Sequence, residues 1–76
     1  MPRLTPLHWK KLHCIFIKDG YLLHRVESSH RAYFKSGCNR PLIIPTYDSV
    51  GLDIIKGLMR SADMTRERFF RLLAEC

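Results

Sequence analysis

The chain has 76 residues, enough for one domain (1–76) and one small core. Lys and Arg number 13 against 7 Asp and Glu, a formal charge of +6 that attracts polyanions, nucleic acid foremost, without specifying a fold. A hydrophobic fraction of 46% with 4 Gly and 4 Pro excludes a disordered chain, and no apolar run approaches the ~20 residues of a membrane-spanning helix.

A domain of this size buries only about 60% of its unfolded surface. A deep substrate cavity would compete with the core, so any site is expected in a surface groove. The opening Met1-Pro2-Arg3-Leu4-Thr5-Pro6 has no apolar run like that of a secretory leader, and a cytoplasmic protein is expected. Three cysteines, Cys14, Cys38 and Cys76, match no zinc-binding spacing and are expected as free thiols in a reducing compartment.

Thr5-Pro6 has the form of a helix start, with Thr5 as N-cap and Pro6 in the first turn. Trp9, Leu12 and Phe16, with Ile15 beside them, recur at helical spacing as far as Lys18, while Lys10, Lys11 and Lys18 fall off that stripe. Asp19-Gly20 supplies the stop, Gly20 being suited to a left-handed C′ position. Tyr21 to Glu27 alternates as a strand, Ser28-Ser29 makes a short turn, and His30 to Lys35 resumes as a second strand. A Gly/Asn turn at 36–40 leads to a third strand, Leu42-Ile43-Ile44, closed by Pro45. Ile55, Leu58, Met59 and Ala62 then mark an apolar helix face, with Asp53 or Ser49 as candidate caps. Thr65 caps a last short helix, Arg66 to Ala74. The expected fold is α+β: α-β-β-β-α, a three-stranded antiparallel sheet with helices packed on one face and a short C-terminal helix.

Four stretches resemble the HicA (YcfA-like) family of small mRNA-interferase toxins, over about Leu7 to Leu73. They are Gly20-Tyr21 after the first helix; Arg25 followed by Ser28-Ser29-His30, similar to an Arg-x-x-Gly-Ser-His motif; Ile43-Ile44-Pro45; and Ile55 to Phe69, similar to the family's closing helix and tail. The resemblance implies a double-stranded-RNA-binding-like fold, mRNA cleavage that inhibits translation, and a HicB-type antitoxin as protein partner. It also implies that His30 is the catalytic histidine and Ser29 its preceding serine. In this chain Ser28 replaces the usual Gly, Tyr47 a frequent His, and Asp63 a helix-ending Gly.

RNA cleavage without metal or cofactor needs a base for the 2′-OH proton and cations for the phosphorane. His30 is the candidate general base/acid, with Arg25, Ser29, Arg31 and Lys35 as candidate RNA contacts. Strand parity puts His30 on one face with Ala32 and Phe34, and Arg31, Tyr33 and Lys35 on the other. If the apolar set faces the core, His30 is instead a hairpin residue bonded to backbone. Tyr33 and Tyr47 are candidates for stacking on bases or for partial burial. A non-catalytic RNA-binding module of the same fold is the alternative. His8 and His13, five apart, are poorly placed to share a metal.

Overall fold

In the computed structural model, which describes residues 3–76, six elements follow one another: α1 (Trp9–Lys18), β1 (Leu22–Glu27), β2 (His30–Phe34), β3 (Leu42–Pro45), α2 (Leu52–Ser61) and α3 (Arg66–Ala74). The strands form one antiparallel sheet in the order β1-β2-β3, so the α+β meander expected from the pattern is the observed fold.

α1 starts later than the Thr5-Pro6 signal implies. Its N-cap is His8, whose Nδ1 accepts a 3.1 Å bond from the Lys10 N–H. The reason is tertiary: Leu7 exchanges backbone hydrogen bonds of 3.2 and 2.7 Å with Val50. A residue held in an extended bridge cannot also be helical, so Thr5 and Pro6 lie outside the helix. The stop is as expected. Gly20 adopts φ +106, and the N–H groups of Tyr21 and Gly20 reach back to the carbonyls of Phe16 and Ile17, the double closure of a Schellman motif.

The same closure ends α2. Met64 and Asp63 donate to the carbonyls of Met59 and Arg60, with Asp63 at φ +52 in the position that favours glycine. α2 begins at Gly51 with no side-chain cap, so neither Asp53 nor Ser49 serves. Thr65 caps α3 as expected, its Oγ1 accepting from the Arg68 N–H at 3.1 Å.

The core lies between one face of β2–β3 and the helices. Leu12, Ile15 and Phe16 of α1, Tyr33 of β2, Ile44 of β3 and Phe69 of α3 have no exposed surface. Burying a side chain of this size stabilises by about 1.5–3 kcal/mol. α1 and α2 pack against β3, and α3 packs against α1. β1 is left outside this sandwich, and all six of its residues are exposed.

The cysteine expectation is corrected. Cys14 in α1 and Cys76 after α3 are disulfide-bonded across a sequence separation of 62, and only Cys38 is free. Packing of α3 on α1 brings the two thiols together, a proximity that spacing along the chain does not encode. Among the described residues no helix is long and apolar enough to cross a membrane.

Candidate nucleic-acid interface on the open sheet face

The site begins with a two-residue hairpin. Glu27 and His30 are direct cross-strand partners, joined only by Ser28 and Ser29. Ser28 takes φ +48, a conformation that two-residue hairpins ordinarily assign to Gly, Asn or Asp. With Ser where the resembled motif has Gly, the turn keeps the left-handed backbone and bears its strain. It is held from the far side by Thr46, whose N–H and hydroxyl both donate to the Ser29 carbonyl, at 2.7 and 3.0 Å. His30 itself pairs with Pro45 across β2–β3. The imidazole is thus carried by a turn anchored on both flanks.

The parity of β2 is as the sequence implies, but the face that is buried is the opposite one. Tyr33 goes into the core and Ala32 with Phe34 onto the open face. Two contacts explain the inversion. The Tyr33 hydroxyl lies 2.6 Å from Nδ1 of His13, so its polar end is satisfied inside. Arg31 lays its guanidinium 4.5 Å from the centre of the Trp9 ring, a cation–π contact that carries the charge along an aromatic surface. His30 therefore faces outward. It is an exposed hairpin residue, not one folded into the core.

A shallow depression of about 520 Å³ runs along this face, lined by His24, Arg25, Glu27, His30, Ala32, Phe34, Pro41 and Ile43. His24 enters it because the β1–β2 register slips between Leu23 and Arg25, leaving His24 as the extra residue of a bulge. Its ring then meets Phe34 edge to face at 4.8 Å. His30 Nδ1 lies 3.3 Å from Ser29 Oγ, and Nε2 has no hydrogen-bond partner among the described residues. Tyr47, 45% exposed, stands beside it with ring centres 6.5 Å apart. Arg25 donates from Nη1 to Glu27 Oε1 at 2.8 Å.

Of the candidate RNA contacts, Arg25 and Ser29 lie with His30. Arg31 and Lys35 do not: they point to the helix-covered side, Arg31 over Trp9 and Lys35 to the buried Asp19 carboxylate at 3.2 Å. Both are removed from the His30 face by the parity that had separated them from His30 in the sequence. Tyr33, fully buried, has no face for a base, whereas Tyr47 has.

Burial, and secondarily the Arg31 charge, lowers the pKa of His13, which favours the neutral ring beside the Tyr33 hydroxyl. Burial likewise raises the Tyr33 phenol, with Arg31 opposing. These groups form a closed polar pair inside the fold and have no reach to the groove. Glu27 and His24 are groove residues that sequence reasoning did not assign to a site, and Phe34 joins them on the face that parity gave it with His30. The signal for Glu27 was present: a two-residue turn makes the residues on either side of it neighbours. Among the described residues no three His, Cys, Asp or Glu side chains converge as metal ligands. No protein-family model matches the chain, and no curated protein matches it significantly.

Proposed function

We propose that this chain is a HicA-like endoribonuclease, the toxin of a toxin–antitoxin pair, which cleaves mRNA by acid–base chemistry at His30 and so inhibits translation. The observation that carries the proposal is the placement of His30: outward on an open sheet face, on an anchored turn, with Nε2 uncommitted and Arg25 in the same groove. The basic surface of a chain with formal charge +6 supplies non-specific affinity for a polyanion. An imidazole can serve as general base or general acid in phosphodiester cleavage. The 2′-oxygen attacks the adjacent phosphorus and the 5′-oxygen leaves, giving a 2′,3′-cyclic phosphate and a 5′-hydroxyl. Arg25 takes the non-bridging phosphate oxygens, the role that Arg31 and Lys35 are too far around the sheet to share.

We place the protein in the cytoplasm, where mRNA is met and where the Cys14–Cys76 bridge has to persist against a reducing thiol pool, and give it a HicB-type antitoxin that covers the groove. RNA incubated with the purified protein in EDTA is expected to be cut, and His30→Ala, equally stable, is expected to lose at least about 100-fold in rate. Intact RNA that is nonetheless bound would assign the chain to the alternative class, a non-catalytic RNA-binding module.

A further inference from the structure

Glu27 is the residue directly opposite His30, and both side chains line the groove on the open face. We infer that Glu27 is the second proton-transfer group of the reaction: the base that takes the 2′-OH proton, leaving His30 as the acid that protonates the 5′-oxygen. The inference rests on the ribonuclease activity proposed above.

Attack and departure at phosphorus occur in line, so the entering and leaving oxygens stand on opposite sides of the phosphate. One side chain serves both sides poorly within a single step. Two side chains on adjacent strands serve them well, because directly opposed residues have Cβ atoms about 4.5–5.5 Å apart, and a carboxylate and an imidazole extending from them can straddle a phosphate. The two functional groups suit the division of labour, since a carboxylate accepts without donating and a protonated imidazole donates from either nitrogen. In the step, the Glu27 carboxylate accepts the 2′-OH proton as the O2′–P bond forms. The P–O5′ bond breaks with its electron pair on O5′, and O5′ takes the proton from His30. Glu27 ends protonated and His30 neutral, and exchange with water restores both.

Arg25 belongs to the same unit. Its Nη1 holds Glu27 Oε1 at 2.8 Å, and a guanidinium carries further donors in a fixed fork that match phosphate oxygens. The carboxylate is thus positioned beside the charge that binds the substrate. Ser29 against Nδ1 orients the imidazole. The titratable and charged groups facing the pair are His24 and Arg25 from β1 and Tyr47 from the segment after β3.

The deciding experiment is the pH–rate profile of kcat/KM on a short single-stranded RNA for the wild-type chain, Glu27→Gln, Glu27→Asp and His30→Ala. Wild type is expected to give a bell-shaped profile. Glu27→Gln is expected to fall by about 100-fold or more in kcat with little change in KM and to lose the acidic limb, while Glu27→Asp recovers part of both. Glu27→Gln that keeps its rate within about two-fold with the bell intact overturns the inference while leaving the ribonuclease standing. A loss confined to KM overturns it too, and reduces Glu27 to the salt-bridge partner of Arg25. A wild-type chain that cuts no RNA overturns the proposed activity itself.

Discussion

The carboxylate of Asp19 accepts a 2.6 Å hydrogen bond from Nε of Arg68, tying the residue that closes α1 to the first turn of α3. Lys35 from the end of the hairpin reaches the other oxygen at 3.2 Å. With its side chain 4% exposed, Asp19 is a charged junction where three segments meet. Asp19→Ala removes two charge-assisted bonds, while Arg68 and Lys35, partly exposed, regain water. A loss of about 2–3 kcal/mol is expected in urea unfolding.

Ser28 holds φ +48 with no compensating glycine freedom. Ser28→Gly is expected to stabilise by about 0.5–1 kcal/mol, strain relief of about 1–2 kcal/mol being offset by the greater unfolded-state entropy of glycine. Ser28→Val, a β-branched residue forced to the same backbone, is expected to destabilise by about 1 kcal/mol or more. Urea midpoints at constant m-value distinguish the two.

His13 is held below its ordinary pKa of 6.5 by burial, then by Arg31. The unfolded chain therefore binds this proton at higher pH than the folded one. Stability contributed by the neutral ring is present above about pH 6.5 and is lost as pH falls below it. Replacing the ring with an amide that can still pair with the Tyr33 hydroxyl, His13→Gln, is expected to flatten that part of the pH–stability curve. Thermal melts of wild type and variant at about pH 7.5 and pH 5 give the comparison.

Tyr21 carries the opposite sign. Burial first, then its contact with Cys38, pushes its hydroxyl up to about 12 from 10.0. The folded state keeps the proton after the unfolded state has released it, so stability falls as pH rises from 10.0 to about 12. Tyr21→Phe is expected to lose less stability than wild type over that interval, though burial also raises Tyr33 and leaves a residual slope.

The Cys14–Cys76 bridge closes a loop with a sequence separation of 62. On the chain-entropy account it stabilises by roughly 4 kcal/mol, worth roughly 15–30 °C in Tm for a domain of this size. Reduction with dithiothreitol, or Cys14→Ser, is expected to produce that drop, whereas Cys38→Ser is expected to leave Tm nearly unchanged.

Local chemistry determined much of this protein. Gly20 at a helix end, Thr65 before an apolar run and Ser28-Ser29 between two alternating runs each specify a structure within a few residues. The α-β-β-β-α-α order and the meander follow from them, because caps, turns and strand alternation are short-range effects. The same parity put His30 and Arg31 on opposite faces. Which of those faces is buried was a tertiary decision. Composition favoured Ala32 and Phe34 inside, but His13 waits on α1 for the Tyr33 hydroxyl and Trp9 for the Arg31 guanidinium, and those partners reverse the choice. Leu7 pairing with Val50 displaced the start of α1, and the packing of α3 on α1 joined Cys14 to Cys76, by contacts between residues far apart in the chain. The groove depends on both levels: the hairpin puts Glu27 opposite His30, and only the helices' choice of face leaves that pair exposed.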